Sequence, residues 1–232
     1  MQYLFFDLEE ATSKNNSLRI CEFGYTMIDE NFKIKEEDNL IINPNINKDE
    51  WDKYVVKNLL HKKIEEYESN PTFNYYYQKI SNLILSADYV FGHTLQGDVN
   101  ALNKECERYN LSSINFTGYE IKEFYKKIKN IDHDVSVSNM LIALNTVGAT
   151  PEHDAEIDAH NTMLILQSLL EKAQNSVQGL IEQCPNAKLE NKNFHIKTQS
   201  SNFITHNQPH ASATLGQLLG DKLAGLHPNE ED

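Results

Sequence analysis

Cysteine is scarce in this chain of 232 residues: there are three, Cys21, Cys106 and Cys184, and no two stand as CxxC. An odd, sparse, widely spaced set excludes a disulfide scaffold and reads as reduced thiols, which points to a cytoplasmic protein. Long apolar runs are missing as well. No stretch approaches the roughly 20 residues that a membrane span needs. The apolar start is short and runs into acids, which is not the pattern of a secretory signal. Positive charge is in deficit, with 21 Lys and Arg against 34 Asp and Glu and a formal net charge of −13. That argues against generic duplex binding, whose affinity comes largely from neutralising phosphates. A site that holds only a few nucleotides is still compatible with it. The remaining basic clusters, Lys62-Lys63 and Lys122, Lys126, Lys127 and Lys129, read as solvated helix faces rather than a phosphate track. No internal repeat is present.

What is there is a globular pattern. The apolar share of 40% and regularly spaced apolar segments suffice for a buried core. Residues 1–12 and 19–28 read as strands. Residues 33–42 alternate loosely and end at Asn43-Pro44, so three strands in a row suggest an antiparallel start. Residues 49–68 read as a helix. Asn70-Pro71 breaks it and opens another to about residue 85, where Tyr75-Tyr76-Tyr77 serves helix packing with one exposed ring. Residues 88–94 form a strand and loop, 95–109 a helix, and 114–117 a strand. Helices follow over 119–131, 137–145 and 154–174. This implies an α/β fold: a mixed five-stranded sheet, its first three strands antiparallel, flanked by helices. Residues 1–175 form the domain. Residues 176–232 form an extension, with a polar linker over 188–213 and a leucine stripe at Leu215, Leu218, Leu219, Leu223 and Leu226.

The first strand carries the chemistry. Tyr3 to Phe6 is apolar, and Asp7 and Glu9 follow. Side chains two apart on a strand share a face, so the carboxylates would sit side by side at the strand's end, with Cα atoms about 6–7 Å apart. Like charges that close are tolerable with a divalent cation between them, or with one of them protonated. Hard oxygen donors suit Mg2+ or Mn2+.

Two later segments supply partners. In Gly92-His93-Thr94-Leu95-Gln96-Gly97-Asp98, Asp98 falls in the first turn of a helix that follows a strand. In His153-Asp154-Ala155-Glu156-Ile157-Asp158, the histidine and the last aspartate are five apart. On one continuous helix they would diverge by about 140°. For both to serve one site, His153 must precede the helix, and Thr150-Pro151 allows that start. A histidine on such a segment has the reach of a general base, and imidazole titrates near neutrality. Asp7, Glu9, Asp98 and Asp158 would hold two divalent ions roughly 3.5–4 Å apart. A water activated there would give its proton to His153 and attack a phosphodiester.

Asp7-x-Glu9, Gly92-His93 with Asp98, and His153-x4-Asp158-Ala159, in this order and spacing, resemble the DEDDh branch of the DnaQ-like 3′→5′ exonucleases. That family includes proofreading subunits and oligoribonucleases. The resemblance covers residues 1 to about 172. It implies a ribonuclease H-like fold, two Mg2+ or Mn2+ ions, and release of nucleoside monophosphates from a single-stranded DNA or RNA 3′ end. By position it implies substrate contacts from Glu10, Thr12, His93 and Thr94. The family usually carries threonines directly after the first glutamate, where Glu10 and Ala11 stand here. It usually carries an asparagine and an aromatic where Thr94 and Gly97 stand. These departures leave open a second class of function, a weakly active or inactive nucleic-acid- or partner-binding module on the same fold.

Other polar groups read as bystanders. Asp132-His133-Asp134 reads as a loop, Asp154 and Glu156 as solvated helix acids, and His195, His206, His210 and His227 as too scattered for a ligand set. The tail helix fits docking or homodimerisation. Gln217-Leu218-Leu219 also weakly matches clamp-binding peptides, so a polymerase or clamp is a further expectation.

Overall fold

A computed structural model describes residues 1–15, 17–151 and 153–192. The leucine-striped tail, with its expected docking or clamp contacts, lies outside the described residues. Among them no helix is long and apolar enough to cross a membrane.

The chain opens with three long strands, β1 (Gln2–Thr12), β2 (Leu18–Asp29) and β3 (Ile34–Ile41), paired antiparallel in sequence order. Strand β4 (Tyr89–Gly92) then pairs with β1 in parallel, and β5 (Phe116–Glu120) with β4 in parallel. A sixth strand, β6 (Lys188–Asn191), closes the edge antiparallel to β5. The sheet therefore has six strands, in the order β3-β2-β1-β4-β5-β6. This corrects the expectation of five strands, and the order gains a member beyond β5. The extra strand begins where the sequence reads as polar linker. A four-residue edge strand needs no apolar alternation: Lys188 and Glu190 are exposed, Leu189 is half-buried and Asn191 is buried.

Eight helices flank the sheet among the described residues: α1 (Lys53–Asn58), α2 (Ile64–Glu68), α3 (Phe73–Ser86), α4 (Leu95–Arg108), α5 (Ile121–Lys129), α6 (Val137–Leu144), α7 (Ala155–Ala173) and α8 (Val177–Gln183). The long helix expected over 49–68 is two short ones. Asp52 caps α1 through the amides of Tyr54 and Val55. The chain then turns so that Leu60 and Tyr67 bury against Trp51 and Ala11. The strand expected at 114–117 lies at Phe116–Glu120, and α5 begins after it.

The pleat of β1 sorts the core. Leu4, Phe6 and Leu8 face α3 and α4, among Phe73, Ile80, Ile84, Val99 and Leu102. Tyr3 and Phe5 face the other way, against Phe124, Met140, Leu141, Met163 and Leu166 of α5, α6 and α7. Val177, Leu180, Cys184 and Ala187 belong to this second cluster, so packing continues through α8 to β6. Buried on both sides, β1 and β2 read as near-continuous apolar runs.

Candidate active site

The site lies where β1 outruns its parallel neighbour. Pairing with β4 covers only Tyr3 to Phe5, whereas pairing with β2 continues to Thr12. Asp7 and Glu9 therefore stand in mid-strand rather than at its end, but past the carboxyl end of β4. In sheets with parallel strands, that is where clefts and ligands are found. The ladder shifts register between Glu9 and Glu10, with Cys21 of β2 as the extra residue. Such a bulge re-aims the side chains beside it.

Helix α7 comes down onto this face at Gly24, the β2 residue opposite Asp7. A Cβ at Gly24 would lie 1.9 Å from the backbone carbon of Ala155 and 2.0 Å from the nitrogen of Glu156. Only glycine permits so close an approach. Asp158 then sits in the first turn of α7 and accepts the backbone N–H of His153 at 3.0 Å. His153 precedes the helix, as its spacing requires, with φ of 63° in the left-handed region. One oxygen of Glu9, one of Asp158 and a ring nitrogen of His153 all lie within 4.8 Å of one another.

Asp98 comes from α4, on the other layer. Its Oδ2 is buried and has no hydrogen-bond partner. Burial, and then the charges of Glu120, Glu10 and Glu9, push its pKa well above the ordinary carboxylate range. Glu9, Asp158 and His153 are thus brought within ligand distance of one another, while Asp7 and Asp98 are not part of that group. Carboxylate oxygens of this kind are hard donors that fit divalent Mg2+ or Mn2+.

The expected substrate contacts divide. Glu10 is half-buried, its pKa raised by burial and opposed by Lys104. Thr94, exposed, takes the left-handed N-cap position of α4. His93 holds that loop through Val135 O at 3.2 Å and Thr94 Oγ1 at 3.3 Å. Thr12 is only 8% exposed, and its carbonyl accepts the N–H of Asp52. Three residues past Glu9, it lies roughly 10 Å farther along the strand.

Several polar residues that carry the site escape a sequence reading. Glu120 accepts the amides of Thr94 and Leu95 at 2.8 Å each, which anchors the start of α4. Glu22, opposite Glu9, is wholly buried and binds Lys62, Tyr67 and Asn39. Each is a lone acid at the end of, or inside, an apolar run, and that was the signal available. Asp154 is not a solvated acid: it caps α7 and pairs with Lys62. Asp134 is held by Lys122 and Lys126, so these lysines are committed to a loop.

Comparison with solved structures places the chain among 3′-exonuclease folds. It matches the nuclease domain of 3′hExo, described as a DEDDh family member bound to rAMP, with a TM-score of 0.66 and 15% identity over 75% of this chain and 94% of that one. It also matches S. pombe Pop2p in an Mg2+- and Mn2+-bound form, with a TM-score of 0.59 and 15% identity over 75% and 84%. E. coli Exonuclease I in complex with a dA16 oligonucleotide matches with a TM-score of 0.57 and 13% identity, over 78% of this chain and 42% of that one. No family model and no curated protein matches the sequence. At these identities the likeness is one of fold, and the fold is that of the DEDDh 3′→5′ exonucleases. None of the three is described with a polymerase or clamp.

Proposed function

We propose that the protein is a divalent-metal-dependent 3′→5′ exonuclease that hydrolyses single-stranded DNA or RNA to nucleoside monophosphates. The observation that carries this reading is the convergence of Glu9, Asp158 and His153 within 4.8 Å, on a fold shared with named 3′-exonucleases. Asp7, Glu9, Asp98 and Asp158 would hold the metal ions, which supply Lewis acidity and neutralise charge on the scissile phosphate. His153, outside the helix and beside Glu9, accepts the proton of the attacking water at a ring nitrogen. The loop of His93 and Thr94, which leads into the helix that carries Asp98, would position the terminal nucleotide. Glu10, whose charge reaches Asp98, would disfavour a terminal phosphate, so the preferred end is a free 3′ hydroxyl.

The test uses 5′-labelled single-stranded DNA and RNA with Mn2+, Mg2+ or chelator, comparing wild type with Asp7→Ala. A metal-dependent ladder shortening from the 3′ end, absent in the variant, is expected. Intact oligonucleotide under every condition overturns the enzyme reading. Tight binding without cleavage would then favour the binding module, the alternative to which the half-buried Glu10 lends weight. Digestion confined to RNA of a few nucleotides would specify an oligoribonuclease.

A further inference from the structure

The face of the sheet that presents Asp7 and Glu9 carries a third acid. Glu22 pairs with Glu9 across the β1–β2 ladder, so their side chains share that face. The Glu22 side chain is 0% exposed. A buried carboxylate is costly unless paired and fully hydrogen-bonded. Lys62 Nζ lies 3.1 Å from both oxygens, the Tyr67 hydroxyl donates to Oε1 at 2.5 Å, and Asn39 Nδ2 donates to Oε2 at 2.5 Å.

The same two donors reach α7. Lys62 Nζ is 3.3 Å from Asp154 Oδ2, and Asn39 Nδ2 is 3.4 Å from Asp154 Oδ1. Asp154 is the N-cap of α7, one residue after His153 and four before Asp158. Lys62 itself stands in the turn between α1 and α2, flanked by Leu60 and Tyr67, which are buried in the third core cluster. One ammonium on an anchored turn thus ties the strand behind Glu9 to the start of the helix that brings in His153 and Asp158.

We propose that Lys62 is a positioning residue of this site. By bridging Glu22 to Asp154 it seats the start of α7, and so His153 and Asp158, against Glu9. It also commits Glu22 and Asp154 to structure. Glu9, Glu22, Asp154 and Asp158 crowd this region, with Asp7 two residues along the same strand. Without the shared ammonium, Glu22 would keep only the neutral donors Tyr67 and Asn39, and Asp154 only Asn39 and the Ile157 amide, which leaves two uncompensated carboxylates to compete for a bound cation. Partners that hydrogen-bond a metal ligand directly are worth roughly 10–100-fold in metal affinity or activity. Lys62 acts one contact further out, through Glu22 and Asp154, so its effect belongs at the low end of that range. The catalytic part of this inference rests on the exonuclease reading and the affinity part only on its metal site, so a wild type that binds no Mn2+ overturns it.

The sharpest test is Asp154→Asn in the full chain. Asparagine is as good an N-cap as aspartate, and its oxygen still accepts from Ile157 and Asn39. The change therefore falls on the contact with Lys62, where an amide NH2 replaces the carboxylate oxygen that accepted from the ammonium. Mn2+ affinity is read from the electron paramagnetic resonance of free Mn2+, apo stability from melting in chelator, and kcat and KM from oligonucleotide digestion. We expect Mn2+ affinity and kcat to fall about tenfold with KM and the apo melting temperature nearly unchanged. Lys62→Arg should retain most of the function. Lys62→Met should lose it, together with some stability, because Glu22 is left buried and unpaired. Wild-type Mn2+ affinity in Asp154→Asn, or a lower melting temperature with affinity and kcat intact, overturns the proposal. Should the wild type digest nothing, the exonuclease reading fails, and Mn2+ affinity still decides the role of Lys62.

Discussion

Gly24→Ala tests the architecture of the site without touching any acid. The added Cβ would stand 1.9 Å from the Ala155 carbon, 2.0 Å from the Glu156 nitrogen and 2.2 Å from the Ala155 oxygen. Carbon atoms pack at about 3.5–4.0 Å, so the first turn of α7 would have to lift by about 1.5–2 Å. All three obstructing atoms are backbone, and no rotamer change relieves them. Overpacking of this kind costs roughly 1–3 kcal/mol. At about 2–4 °C per kcal/mol for a chain of this size, melting should fall by about 2–12 °C. The effect on chemistry should be larger. Asp158 rides on the displaced turn and holds His153 through its backbone N–H, while Asp7 stays on β1. A misplacement of about 1 Å can cost on the order of 100-fold in rate. We therefore expect kcat down about 100-fold in a protein that retains its far-ultraviolet circular dichroism. Digestion at the wild-type rate would refute the close approach of α7 and the geometry built on it.

Other perturbations follow from the same structure. Gly97 is exposed, with only Thr94 Cγ2 at 3.9 Å from a built Cβ, so Gly97→Ala in α4 should raise stability by about 0.5–1 kcal/mol, seen as a higher melting temperature. Asp98→Asn removes a carboxyl group whose ionisation burial disfavours and whose Oδ2 has no partner. It should leave the chelated protein as stable as wild type or more so, yet abolish digestion and reduce the stabilisation that Mn2+ confers. In chelator, melting should be lower at pH 8 than at pH 5. Glu105 and Glu120 have pKa values raised mainly by burial. A raised carboxylate contributes stability below its unfolded pKa of about 4 and loses it as pH climbs through the folded value. Carboxylates with lowered pKa, such as Asp29 and Asp134, are already ionised in this window and do not offset it. Melting that rises steadily from pH 5 to 8 would contradict this.

Much of the molecule was legible because its signals are local. Period two in β1 put Asp7 and Glu9 on one face, and the structure keeps them there. The five-residue spacing of His153 and Asp158 required the histidine to lie outside the helix, and it does. The apolar stripes of α3, α4, α6 and α7 placed those helices within a few residues. Backbone geometry alone sets these periods, so a linear pattern suffices. The resemblance to DEDDh exonucleases rests on the same short-range spacings, and the fold agrees with it.

What only the tertiary structure decided is which distant groups meet. Nothing near Gly24 says that α7, more than 130 residues on, will cross the sheet there. Glu22 reads as one acid in an apolar strand, and Lys62 as one of two surface lysines. Their pairing with each other and with Asp154 depends on a turn between α1 and α2 that the 3.6-residue pattern over 49–68 conceals. Strand β6 is four residues of edge with no apolar alternation, and it exists because β5 offers an open ladder. Periodicity follows from one residue's geometry relative to its neighbours. Convergence of carboxylates, the close approach at Gly24 and the shared cation follow from packing between segments far apart in the chain, and only the folded structure contains that information.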